Sequence, residues 1–228
     1  MQLLFAFIIL STITLIAVLL ILVSKNSRSG KIREISNQYK WDYQEYLDFN
    51  NEIKNANFAL LNYSQNVIFR HELKAPHFSF FDCRAIEPSG IHNSSVILSY
   101  LKLEPQFLNL HASFSPIQNT MQSPEDNNQA RLRHMQKLSI VSTHYAFEEY
   151  QLHSNNPHLL EIFIQQHIKE SGRENNLSTW LLAHPHLHIE ISNGILLAYQ
   201  PNCLLDEASI APAINAVIDV SKCLNKPL

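Results

Sequence analysis

The residues best equipped for chemistry stand together in AHPHLHIEI, where His184, His186, His188 and Glu190 recur at every second position. Side chains at alternating positions of a strand share a face, so these four would line one side while Leu187, Ile189 and Ile191 line the other. Imidazole and carboxylate are proper ligands for a first-row metal, which makes His186, His188 and Glu190 the candidate ligands and zinc the candidate cofactor. Residues two apart on a strand stand about 6–7 Å from one another, so one ion would need further ligands from elsewhere in the chain. Pro185 also disturbs the start of such a strand. The competing reading is an amphipathic strand whose histidines face solvent or pack in a groove.

A second candidate is Cys83 in FSFFDCRA, whose thiolate could be activated by Arg84 or by His77. A nucleophile needs a base within hydrogen-bond reach, and a free cysteine on a strand otherwise serves as a small buried apolar residue. Asp82 and Arg84 are expected to form a structural ion pair. Arg131, Arg133, His134 and Lys137 make a basic patch suited to phosphate, lipid or an acidic partner, or simply to solvent. No G-x-S-x-G, H-E-x-x-H, EF-hand loop, GxGxxG or P-loop pattern accompanies them. Formal charge is −3, with 17 Lys and Arg against 20 Asp and Glu, which argues against a basic nucleic-acid binder.

The elements that must position these groups begin with residues 2–23, QLLFAFIILSTITLIAVLLILV, 22 positions without a charge. At 1.5 Å per residue a helix of that length is about 33 Å long and matches the hydrocarbon core of a bilayer. No Lys or Arg precedes the run, which is also too long for the apolar middle of a cleaved signal peptide. Lys25, Arg28, Lys31 and Arg33 follow it, and basic flanks stay on the cytoplasmic side. The expectation is a single-pass inner-membrane protein of bacterial type with its C-terminal part in the cytoplasm. Cys83, Cys203 and Cys223, odd in number and widely spaced, fit reduced thiols.

Residues 1–23 are therefore assigned to a transmembrane helix, 24–38 to a juxtamembrane linker and 39–228 to a soluble domain, although IREISNQYKWDYQEYLDF could instead continue as helix from the membrane. Tyr39, Trp41, Tyr43, Tyr46 and Phe49 are expected to pack the stalk onto that domain, or else to touch the membrane interface. Short strands are expected over 57–61, 67–73, 77–86, 94–103 and 107–114, with a loop over 117–130 and a partly extended stretch over 138–152. Asn155 or Asn156 caps a helix with Pro157 in its first turn and Leu160, Phe163, Ile164 and His167 on one face, ending at Gly172. LHIEIS and ILLAYQ flank Asn193-Gly194, the signal of a tight hairpin. Residues 206–224 read as an amphipathic helix with Asp206 and Glu207 at its positive end and Pro212 near its first turns. Strands grouped before helices, without regular alternation, give an α+β class: a mostly antiparallel sheet with two or three packed helices.

The order of these segments resembles a family of bacterial membrane-anchored proteins of unknown function. The resemblance rests on YKWDY at 39–43, Phe58-Ala-Leu-Leu-Asn-Tyr63, Phe81-Asp82-Cys83-Arg84, VILSYLKLEPQFLNLHASFSP, FEEYQLHSNNPHLLEIF and IEISNGILLAYQP. It spans about 40–228 as a pattern of apolar positions, with Cys83 in place of an aromatic and Asn109 in place of a proline. It implies the anchored α+β architecture and transfers no functional residues.

An anchor and a full core without a complete acid–base or nucleophile set point to a protein-interaction or complex-organising module rather than an enzyme. Its expected partners are membrane lipid through the N-terminal helix and a further protein. The alternative is a metal-dependent hydrolase or metal sensor built on His186, His188 and Glu190.

Overall fold

The computed structural model describes residues 12–14, 23, 27–47, 53, 55–62, 67–87, 90–117, 136–138, 149–169 and 177–225. Among them no helix is long and apolar enough to cross a membrane, and the apolar run 2–23 lies almost wholly outside them.

Where a linker was expected, the chain forms helix α1 (Arg28–Tyr39). Ser27 begins it as an N-cap whose Oγ accepts from the Gly30 amide at 3.1 Å, and Lys40 ends it in the left-handed conformation. Ser, Asn, Gly and charge disguise this helix in composition. Ile32, Ile35 and Ser36, three and four apart, nonetheless make one buried stripe, which is enough to dock it. Strand β1 (Asp42–Tyr46) follows.

A nine-stranded sheet runs in the order β1-β2-β3-β4-β9-β8-β5-β7-β6, and every neighbouring pair is antiparallel. Its strands after β1 are β2 (Val67–Ala75), β3 (Phe78–Glu87), β4 (Gly90–Tyr100), β5 (His111–Pro116), β6 (Gln136–Leu138), β7 (Tyr150–Ser154), β8 (His188–Ser192) and β9 (Ile195–Tyr199). The strand expected over 57–61 is instead a short turn of helix, α2 (Ala59–Asn62), after Asn57 in a left-handed conformation. Its neighbourhood caps a sheet face rather than joining a ladder: Phe58 and Leu60 are buried there. The segment expected to be extended from 107 begins as a 3-10 turn, Pro105–Phe107, because Pro105 presets the first turn, and the strand starts only at His111.

Among the described residues three more helices follow: α3 (Pro157–Lys169), α4 (Leu177–Ala183) and α5 (Glu207–Leu224). Asn156 caps α3, its Oδ1 accepting from the Leu159 amide at 3.1 Å, while Asp206 caps α5 through the Ser209 amide at 2.8 Å. Expectations for 117–130, 139–148 and Gly172 fall outside the described residues, apart from Ile117.

Helices α1, α3, α4 and α5 cover one face of the sheet, where Ile32, Phe80, Phe114, Phe163, Leu181 and Ile214 belong to one core. The segment around α2 covers part of the other face, meeting Phe81, Cys83, Val96, Leu98 and Leu197 in a second core. The architecture is α+β with an antiparallel sheet between two unequal layers.

Candidate functional site

The hairpin of β8 and β9 turns at Asn193 and Gly194, with φ of 50° and 72°, the left-handed pair that a type I′ turn requires. The turn fixes the register, so His188 lies opposite Tyr199 and Glu190 opposite Leu197 on the sheet face away from the long helices. His186 does not join them. It is exposed in a turn ahead of β8, and His184 sits just past α4, because Pro185 keeps the chain out of the ladder until His188.

His188 and Glu190 are buried, not solvent-facing. The imidazole stacks on the Tyr199 ring with centroids 5.2 Å apart, and the Tyr199 hydroxyl donates to Glu190 Oε1 at 3.3 Å. Register extends this polar stripe across β5 and β7: Ser113 is opposite Glu190, His111 opposite Ser192, and His153 opposite Ser113. Two strand spacings, about 10 Å between backbones, separate His153 from Glu190. Among the described residues no group of three His, Cys, Asp or Glu side chains is placed to hold a metal ion. The arrangement supplies a buried aromatic–imidazole–carboxylate set of Tyr199, His188 and Glu190.

A different set of charges converges at the start of α1. Arg28 Nε and Nη2 donate to the two oxygens of Asp82 at 2.9 and 3.0 Å. Arg28 also donates to the Leu205 carbonyl ahead of α5. Ser95 Oγ donates to Asp82 Oδ1 at 2.8 Å and accepts from the Leu205 amide at 3.0 Å. Lys31 then pairs with Glu207 at 3.0 Å, and this hydrogen bond, more than any other contact, holds the Glu207 carboxyl below its usual range. Asp82 is thus engaged by a helix 54 residues earlier rather than by Arg84, which is exposed. A bidentate Arg–carboxylate pair is directional as well as strong, so it fixes how α1 leaves the sheet.

Of the aromatic stalk, Trp41 and Tyr43 pack against the core, whereas Tyr39 and Tyr46 are exposed. Tyr39 stacks on Trp41 at 4.7 Å, Trp41 meets Phe78 edge-on at 4.9 Å, and the Tyr43 hydroxyl lies 2.9 Å from Ser29 Oγ and 3.1 Å from His71 Nδ1. Phe49, Arg131, Arg133, His134 and the side chain of Lys137 lie outside the described residues. Cys83 is buried in the second core, on the opposite sheet face from Asp82, as a small apolar residue would be.

His71 stands at a β-bulge between Arg70 and Leu73 with φ of 59°. Partial burial, chiefly, lowers its pKa; Asp82 opposes that shift and Arg28 adds to it. The folded state then binds fewer protons at this site than the unfolded chain. The contribution is present above the ordinary histidine value of about 6.5 and is lost as pH falls through the lower folded value. Thermal melts at a series of pH values should therefore show a smaller acid-side drop in Tm for His71→Asn, an asparagine tolerating the left-handed backbone. An unchanged drop would assign it to other groups, His184 among them, whose pKa burial also lowers.

Two clefts open on the helix-bearing side. One of about 360 Å³ lies between α4 and α5 and is lined by Trp180, His184, Asn215, Asp219 and Cys223. The other, about 180 Å³, lies at the start of α1 among Arg28, Arg70, His71, Arg84 and Asn93. Sequence reading missed Arg28 as a structural partner and Arg70 altogether. The available signal was Asp82 itself, a carboxylate inside the apolar strand FSFFDC, which demands a cation from somewhere in the fold.

No family model matches the chain, and no curated protein matches it by sequence. Comparison with solved structures identifies the fold class first: a sheet with helices in this arrangement recurs in a protein of transport. That structure is the mycobacterial trehalose monomycolate transport factor A, TtfA, with a TM-score of 0.55, 11% identity, and coverage of 88% of this chain and 97% of that one. At that identity the similarity is one of fold alone.

Proposed function

We propose that this chain is a membrane-tethered cytoplasmic module that holds a protein partner and organises a membrane complex, with no catalysis of its own. The observation that carries the reading is the attachment of α1 to the sheet through Arg28, Asp82, Ser95 and the Leu205 carbonyl. A domain needing only proximity to a membrane can hang from a flexible linker. A domain whose first helix belongs to its core begins only four residues after the apolar run, which suits presentation of its surface to a neighbour in the same bilayer.

Site-specific photo-crosslinking of the full chain in intact cells tests this. One membrane protein should be captured reproducibly by the full chain and lost when residues 1–26 are removed. Absence of any specific adduct would contradict the reading. So would stoichiometric zinc in the purified chain that disappears in His188→Ala, which would favour the metal site instead.

A further inference from the structure

The end of the sheet beyond Arg28 carries a surface that the interaction role leaves unused. Arg70 pairs in register with Asp82, Ile68 with Arg84, Arg84 with Asn93, and Ile86 with Ile91. Residues directly opposite in a sheet, and those two apart on one strand, share a face, so these side chains lie on the face that Asp82 presents to α1. Farther along that face α1 covers Phe78 and Phe80. Past Arg28 it does not, and Ile68, Ile86 and Ile91 stand 38%, 42% and 54% exposed.

Direction follows from two contacts. The start of α1 meets Asp82, and the residue just past its end, Trp41, meets Phe78, so β3 runs antiparallel to α1 and continues beyond its N-terminus. Five residues at about 3.3 Å each carry the end of β3 about 16 Å past Asp82. Residues 24–27, between the apolar run and Arg28, span at most about 14 Å when fully extended. On the membrane-tethered reading, the apolar run therefore stands no more than that distance from the start of α1, and the end of β3 projects past the same end of the helix. The charge there is cationic: the cleft holds Arg28, Arg70 and Arg84, and its carboxylate, Asp82, is engaged by Arg28 and Ser95. Arg70 also rests 5.5 Å over the Tyr46 ring.

We propose that this sheet end is a membrane-contact surface, in which Arg70 and Arg84 hold the phosphates of anionic lipid headgroups while Ile68, Ile86 and Ile91 enter the boundary between headgroups and acyl chains. The proposal rests on the membrane-tethered reading. It adds a second point of contact that sets the tilt of the domain on the bilayer. Arginine suits phosphate because its planar fork donates two hydrogen bonds at once. Each basic residue near an anionic surface favours the docked state, and losing both arginines should lower the ratio of docked to undocked domain on the order of thirtyfold.

The test uses the full chain with Ile91→Trp, reconstituted in vesicles whose lipids carry brominated acyl chains, with Ile162→Trp, at an exposed position of α3, as the control. In vesicles containing phosphatidylglycerol, quenching beyond the background of the native tryptophans is expected at position 91 and not at 162. It should fall to the control level in neutral phosphatidylcholine vesicles and in the Arg70→Gln/Arg84→Gln variant, whose thermal transition is checked for folding. Position 91 quenched no more than 162 would overturn the proposal. Quenching indifferent to lipid charge and to both arginines would overturn the headgroup role. Loss of quenching on adding inorganic phosphate, without loss of vesicle charge dependence in the variant, would assign the arginines to a soluble anion instead. A chain that fails to float with the vesicles at all would refute the tether rather than this surface. In cells, a discrete protein adduct from a photo-reactive residue at 91 would give the face to a protein partner.

Discussion

A fragment beginning at Ser27 is expected to fold, whereas one beginning at Lys40 should lose its cooperative thermal transition. The difference is α1. Ile32 is fully buried and Ile35 nearly so against Leu73, Phe78 and Phe80. Burying an isoleucine contributes about 1.5–3 kcal/mol, so removing both forfeits about 3–6 kcal/mol. The longer deletion also strips Asp82 of its guanidinium partner. Against a net stability of about 5–15 kcal/mol for an ordinary domain, losses of this order leave little folded protein. Circular dichroism melts of residues 27–228 and 40–228 provide the measurement. Equal transitions would mean that α1 is dispensable and that residues before Tyr39 act only as a spacer.

Arg28→Ala should be the most damaging single change among the surface-accessible charges. It leaves the Asp82 carboxylate, 11% exposed, with Ser95 as its remaining hydrogen-bond donor from this network. Breaking one side of a buried pair costs about 3–5 kcal/mol; with Arg28 itself 23% exposed, about 2–3 kcal/mol is expected here. For a chain of this size that corresponds to a fall in Tm of about 4–12 °C. Arg28→Lys should recover only part of the loss, because an ammonium cannot reproduce the two-pronged contact. The double change Arg28→Met with Asp82→Leu should be milder than either charge-orphaning change alone. A double-mutant cycle on the full chain in detergent separates these outcomes. Additive effects at Arg28 and Asp82 would show that the pair does not couple α1 to the sheet.

What the sequence made legible follows from where its signals are local. Asn193-Gly194 between two alternating apolar runs marked a hairpin whose turn and strands both formed. Asn156 with Pro157, and Asp206 with Glu207, marked the starts of α3 and α5, and Leu160, Phe163 and Ile164 are buried as their spacing required. Weaker signals failed. In α4, LSTWLLA spans 7 residues, too short for a helical period to separate it from an apolar strand. In α1 two isoleucines amid polar residues were masked by composition. The candidate site was half legible: alternation placed His188 and Glu190 on one face, while Pro185 removed His186 from it. Asp82 with Arg28 was not legible, because a contact across 54 residues depends on which strand ends up beneath which helix.

The tether itself is tested most directly by fusing two reporters after Leu228 in separate full-length chains, alkaline phosphatase in one and green fluorescent protein in the other. Fluorescent cells with inactive phosphatase are the predicted result, since basic residues that follow an apolar span are as a rule retained on the cytoplasmic side. Active phosphatase with dark cells would place the domain across the membrane and contradict the account.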